Sequence, residues 1–317
     1  MRQYKKRMTM GRRRRGEAIH GWLVIDKPAG VTSAFVVSKA RRILNAAKAG
    51  HGGTLDPLAT GVLPLAFGEA TKTVSYIMDG TKSYRFWVRW GEARDTDDAD
   101  GILTGSSDVR PDAEAIEGAL PEFIGEIEQV PPDYSAVKVD GARAYALARE
   151  NKELNLPPRT IRIDEFRLAA RPDADHAVFE VVSGKGAYMR SLARDLAVRL
   201  GTLGHVSKLR RTGLGPFSES QAISLDKLEL LRHSAPAADI LLPVETALDD
   251  IPALALTEDE ARRMQCGQAV SALKVARRIP LKKIGQGAVI CAMIEGKPVA
   301  LARFEGGEIR PIRVLNL

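Results

Sequence analysis

One carboxylate, Asp56, stands in the stretch HGGTLDPLATGVLP (residues 51–64) among Gly, Leu, Ala, Val and Pro, with no acidic neighbour. The nearest basic side chains in sequence are Lys48 and, well downstream, Lys72. An ionised carboxylate in such company can act as a nucleophile or as a general base. It needs a cation to stay charged, and sequence spacing supplies none. Pro57 biases the backbone of Asp56 toward an extended conformation, and Gly52, Gly53 and Gly61 let a ligand or another backbone approach closely. The same residues also suit a plain Asp-Pro turn with a solvated side chain, so local sequence leaves both readings open.

Two other acidic stretches invite chemistry and do not sustain it. VIDKPAGVTS places Asp26 after apolar residues, as in the phospho-aspartate loop of haloacid-dehalogenase-type phosphatases. That chemistry wants an Asp or Thr two residues on, where Pro28 stands. DTDDADG suggests a calcium loop, but with Gly101 as its glycine the closing position is Ser107 rather than Glu. There is no GxGxxG, no Walker loop and no His/Asp/Cys ligand spacing. Neither a metal nor an organic cofactor is expected.

The elements that must position Asp56 are legible in outline. GWLVID (21–26) reads as a strand ending in the turn KPAG. TSAFVVSKARRILNAAK has helical period, with Val36, Ala40, Ile43, Leu44 and Ala47 on one face and Thr32 or Ser33 as cap. YRFWVRW (84–90) alternates strictly: Tyr84, Phe86, Val88 and Trp90 one way, Arg85, Trp87 and Arg89 the other. AVFEVVS (177–183) is a further strand. It leads through GKG into a helix that buries Leu192, Leu196 and Leu200 and stops at Gly201. HVSKLRRTGLGPF begins as a basic strand. Strands and helices mix without a βαβ rhythm, which predicts an α+β fold with a mainly antiparallel or mixed sheet. A boundary is expected within LLPVETALDDIPALAL. Beyond it Thr257 to Glu260 forms a capping-box pattern, and hairpin turns at EGKP and EGGE predict a small β-barrel-like module.

The chain has 317 residues, a length that suits two domains, and 44% hydrophobic residues, enough for a real core. No apolar run approaches the roughly 20 residues of a membrane span. The basic start lacks the apolar segment of a secretory signal and the apolar face of a transit peptide. Two cysteines, Cys266 and Cys291, without CxxC fit a reducing cytosol, and a cytoplasmic location is expected. The net charge of +7 argues for a polyanionic partner. Part of it lies in the run Arg12–Arg15, read as a solvated arm.

HGGTLDPLATGVLPLAFGEATK (51–72) resembles the signature of the TruB-type tRNA pseudouridine synthases. The likeness does not rest on one motif. GWLVIDKPAGVTS resembles the family's opening segment and GEARDTDDADG (91–101) its acidic turn. QVPPDYSAVKVDGARAYALAR (129–149) resembles its RNA-gripping thumb and GAYMRSLARDLAVRLG (186–201) its later arginine motif. These blocks follow the family order over most of residues 21–250, and the remainder resembles a PUA-like tail domain more loosely. Gly52 departs from members that have Thr there. The resemblance implies a basic flexible tail (1–20), a synthase domain (21–250) with an inserted thumb at about 129–157, and a PUA-like β-barrel (251–317). It implies a mixed, mainly antiparallel sheet with flanking helices, working as a monomer on the T-arm of tRNA, with no metal and no membrane.

The implied reaction turns the T-loop uridine at position 55 into pseudouridine. By the same resemblance Asp56 is the catalytic aspartate. Its step is attack on C6 of the base, attack on C1′ of the sugar, or abstraction of a sugar proton. Tyr84 stacks on the flipped uracil, Arg190 pairs with Asp56, and Leu209 packs the base. His51 fills the stack vacated by extruded bases, Lys27 and Lys72 meet phosphates, and Asp98 helps hold the T-loop. Read alone, these residues suit a core aromatic, an exposed helix arginine, an ordinary core leucine, a solvated histidine, surface lysines and a turn aspartate. A non-catalytic RNA chaperone would share the charge and the barrel-like tail without needing Asp56 or Arg190.

Overall fold

A computed structural model describes residues 16–276 and 285–317, apart from 136, 140–141, 145–146 and 148–154. Its strands begin with β1 (Gly21–Lys27), β2 (Ala49–His51), β3 (Thr60–Phe67), β4 (Lys82–Trp90), β5 (Glu92–Arg94), β6 (Leu103–Ser106) and β7 (Gly125–Gln129). They continue with β8 (Lys138–Val139), β9 (Ala142–Arg143), β10 (Arg159–Ala170), β11 (His176–Ser183), β12 (Gly204–Leu214) and β13 (Phe217–Ser218). The last five are β14 (Ala253–Ala255), β15 (Val270–Ser271), β16 (Val289–Ile294), β17 (Lys297–Glu305) and β18 (Glu308–Val314).

Among the described residues, nine strands share one sheet in the order β1-β3-β12-β4-β11-β10-β7, with β2 joined to β3 and β13 to β12. Only β12 and β3 run parallel, pairing Arg210 with Thr60 and Arg211 with Gly61. The sheet is therefore mixed and mainly antiparallel, and with its helices the fold is α+β. The alternation in β4 decides its faces. Phe86, Val88 and Trp90 are buried, whereas Arg85 and Arg89 face solvent and Trp87 is half-buried beneath Lys208. Phe86 stacks on Phe179 of β11 at 5.5 Å, and Phe166 and Trp90 extend the aromatic cluster.

The helix Ser33–Ile43 is capped by Thr32, whose side chain accepts the Phe35 amide, and it buries Val36 and Ala40, with Leu44 following at its C-cap. The helix Met189–Arg199 buries Leu192 and Leu196 against β12 and β4. It gives way to Gly201 at φ +70°, a conformation glycine adopts without strain. Leu200, expected in the core, falls at the C-cap and stays partly exposed.

The second sheet, β14-β16-β17-β18-β15, curls into a half-barrel. Its hairpins turn at Glu295-Gly296 and Gly306-Gly307, as the sequence predicts. Thr257 and Glu260 exchange the capping-box bonds, which sets the helix Glu258–Gln265 on this sheet. The half-barrel is fastened to the main body: Leu315 joins the Trp22, Val24 and Phe217 cluster on the second face of the main sheet.

One expectation changes. The flexible tail does not reach residue 20, because the Glu17 amide donates to Asn45 O at 2.7 Å and Ile19 is buried; Arg12–Arg15 lie outside the described residues. Of the thumb, the root at 129–135 and the short β8–β9 pair are described, while 148–154 lie outside.

Candidate active site

Asp56 lies in the connection between β2 and β3, and that connection is pinned at several points. Ser33 Oγ donates to Leu55 O (3.0 Å) and accepts the Leu55 amide (2.9 Å). The Gly30 amide donates to Pro57 O (2.8 Å), and the Ala59 amide closes a turn onto Asp56 O (3.1 Å). Lys27 Nζ donates to Pro28 O (2.8 Å), Pro57 O (3.1 Å) and Ala59 O (2.6 Å). Burial pulls its ammonium down to about 8, with Asp56 opposing. All three protons are spent on carbonyls and the side chain is buried, so Lys27 has none left for a phosphate, contrary to the sequence expectation. Its place in the structure is as the clamp under the Asp56 turn. Lys27→Met is expected to cost roughly 2–3 kcal/mol, since it leaves buried carbonyls without a donor. A lower urea midpoint with an unchanged slope would register this.

Arg190, second in its helix, approaches Asp56 from the other side. Its Nη2 lies 3.0 Å from Asp56 Oδ2 and donates to Tyr134 O at 2.9 Å. Its Nη1 donates to Thr96 O at 2.9 Å and lies 3.5 Å from Asp98 Oδ2. One buried guanidinium thus joins the Asp56 turn, the 94–101 turn and the root of the thumb. The Arg190 side chain is 5% exposed and that of Asp56 41%. The carboxylate is held from behind by a cation and keeps an open edge.

Asp98 is buried, not a solvated turn residue. Its Oδ1 accepts from Thr96 Oγ1 (2.6 Å) and from the Asp100 amide (3.1 Å). Burial pushes its carboxyl up, opposed by the Thr96 hydroxyl, Arg190 and the Asp100 amide. Its role here is to complete the cage around Arg190. The neighbouring Asp97, at φ +57°, pairs with Arg194 at 2.8 Å, and burial pushes it up to about 6.

Asp56, Tyr84, Arg190 and Leu209 line one cleft of about 190 Å³, with Ser135 from the thumb root and Tyr188 and Met189 from the start of the helix. Burial raises the Tyr84 phenol, and the guanidinium of Arg211, which hydrogen-bonds it, opposes the rise. His51 sits at the entry to the pinned connection, its Nδ1 accepting the Gly53 amide at 3.3 Å, and does not line the cleft. Burial and Arg211 both lower its pKa. Lys72 is also remote. Its Nζ is committed to Glu69 Oε2 (2.6 Å) and Val314 O (2.7 Å), which latches the half-barrel to the main sheet instead of presenting a free ammonium to a phosphate.

Two residues that build the cleft escaped the sequence reading. Arg211, 1% exposed, stands opposite Tyr84 in the β12–β4 register. It donates to Val62 O (2.8 Å) and Gly53 O (3.1 Å), and so ties the Tyr84 strand to the Asp56 loop. Gly53 and Gly61 make room for it: a Cβ on Gly61 would lie 2.2 Å from Arg211 O. Gln129, buried at the thumb root, exchanges two bonds with the Tyr188 backbone, 2.8 Å from its amide and 3.1 Å to its carbonyl. Ser191 and Arg194 both donate to Val130 O, so the thumb root is stitched to the helix that carries Arg190. Period 2 running on from Leu209 would have put Arg211 on the same face as Leu209; nothing local marks Gln129.

Comparison with known proteins places the chain in a family. The model of the TruB family pseudouridylate synthase N-terminal domain matches residues 41–189, and that of the tRNA pseudouridylate synthase B C-terminal domain matches residues 190–249. The tRNA pseudouridine synthase B of Rhodospirillum rubrum is 61% identical, over 97% of this chain and all of its own. That of Gluconacetobacter diazotrophicus is 58% identical, over 96% of this chain and all of its own. A solved archaeal box H/ACA sRNP Nop10-Cbf5 complex shares the fold at TM-score 0.71 and 24% identity, covering 94% of this chain and 86% of that one.

Proposed function

Because this chain belongs to the TruB family of tRNA pseudouridine synthases, we propose that its cleft isomerises the uridine at position 55 of the tRNA T-loop, with Asp56 as the catalytic carboxylate. The activity of the family is an isomerisation on tRNA. The finer reading is carried by one observation: Asp56 keeps an open edge toward the cleft while buried Arg190 holds it from behind.

A uridine folded into a loop cannot reach a carboxylate at the bottom of a cleft. The enzyme flips it out, at a cost of a few kcal/mol that contacts to the loop offset. Tyr84 then stacks on the uracil and Leu209 packs its other side, both already lining the cleft. The C1′–N1 bond breaks, the uracil turns, and C5 bonds to C1′. The C5 proton departs and N1 gains one, so the atoms balance with no co-reactant. Arg190 supplies the countercharge to Asp56 through these steps, and the pinned connection keeps its position constant. The half-barrel at 251–317 acts as the PUA-like domain that extends the grip on tRNA, and the chain's positive charge serves phosphate contacts.

The test is tritium release from tRNA carrying 5-tritiated uridine. We expect about one equivalent per tRNA, lost when the position 55 uridine is changed to cytidine. Tight binding without release would overturn the enzymatic reading in favour of an RNA scaffold.

A further inference from the structure

Among the described residues, Ser135 carries the buried hydroxyl of the cleft lining that its own surroundings leave unused. It is 3% exposed, lines the cleft together with Leu55 and Asp56, and its Oγ has no hydrogen-bond partner among the described residues. A buried hydroxyl without a partner is rare, because the group has given up water for nothing in return. The neighbouring polar groups are already engaged. The Tyr134 carbonyl accepts from Arg190, and the Tyr188 amide and carbonyl are both held by Gln129. The bond from Arg190 anchors the backbone next to Ser135, and its burial keeps the hydroxyl from solvent.

We infer that Ser135 reads the base: its hydroxyl makes a hydrogen bond to the polar edge of the pyrimidine that enters the cleft, either to a ring carbonyl or from the ring imide N–H. A hydroxyl both donates and accepts, so it suits either group. The inference rests on the synthase reading above, since it is the flipped base that brings the missing partner. It also gives the thumb root a chemical task beyond gripping RNA. Only after the base has left its stack does the bond form, so its energy appears in turnover and not in the initial capture of tRNA.

Ser135→Ala is the test, with single-turnover rates and tRNA Kd measured side by side and Ser135→Thr as the variant that keeps the hydroxyl. The expected result is a roughly tenfold loss of rate in the alanine variant, the size of one net hydrogen bond, with tRNA Kd within about twofold of wild type and the threonine variant within about threefold in rate. If the alanine variant melts lower than wild type, Ser135→Cys, with nearly the same shape and a weak donor, takes its place and is expected to show the same loss. An unchanged rate would overturn the inference. So would a loss of tRNA affinity in proportion to rate, or an equal fall in the alanine and threonine variants, since each marks a packing role. Failure of wild type itself to release tritium would instead overturn the synthase reading.

Discussion

Asp56→Asn is expected to lower the rate of tritium release by ~10⁴-fold or more while leaving tRNA affinity within about threefold, the scale on which essential catalytic groups act. Asparagine keeps the shape and one acceptor for Arg190 Nη2 but cannot serve as nucleophile or base. The fold should tolerate the change. Arg190 retains the carbonyls of Thr96 and Tyr134 and the carboxylate of Asp98, so its buried charge is not stranded. With Asp56 two-fifths exposed, solvent screens the pair, and the stability lost should stay at or below ~1 kcal/mol. Chemistry and folding thereby separate. A variant that still releases tritium within about tenfold of the wild-type rate would remove Asp56 from the reaction. A variant that loses tRNA binding along with rate would mean that the turn, not the carboxylate, is what matters.

The parts of this site that could be read from sequence are those whose cause is local. Alternation fixes the faces of β4 because every second side chain meets the same core, and it puts Tyr84, which lines the cleft, on the same face as buried Phe86. Thr32 and the Thr257/Glu260 pair cap their helices because the orphan amides are three residues away. Residues settled by distant chain were misjudged. Lys27 looks like a surface lysine in its own segment; it is buried because Pro57 and Ala59, some 30 positions on, fold their carbonyls over it. Lys72 is claimed by Val314, at the far end of the chain. Gln129 acquires meaning only where Tyr188 passes it. Arg190 pairs with Asp56 across more than a hundred residues. No local pattern foretells that pair, and only the likeness to the family pointed to it.

Arg211 poses the sharpest question of this kind, and Arg211→Met answers it. Among the described residues no carboxylate pairs with it, yet it is nearly inaccessible to water. Removing a buried unpaired charge relieves a desolvation penalty on the order of several kcal/mol. Against that stands the loss of donors to Val62 O and Gly53 O, at ~1–3 kcal/mol each. The two terms are comparable, so stability should move by no more than ~2 kcal/mol in either direction. Function should respond far more. The guanidinium is the link between Tyr84 and the Gly53 end of the Asp56 loop, and a displacement of about 1 Å there is enough for a ~10²-fold fall in turnover. Removing the cation also deprives the Tyr84 phenol of the neighbour that opposes its rise, so it should titrate at higher pH in the variant than in wild type. Arg211→Lys should not restore the rate, because a single ammonium cannot span two carbonyls and a phenol in the geometry of a planar fork. Turnover, tRNA Kd and urea midpoint measured on both variants decide the matter. A ~10²-fold loss in each with Kd and midpoint little changed makes Arg211 a positioning residue of the site. Turnover within about threefold of wild type would leave it a structural arginine, and the stability terms would then have to account for its burial alone.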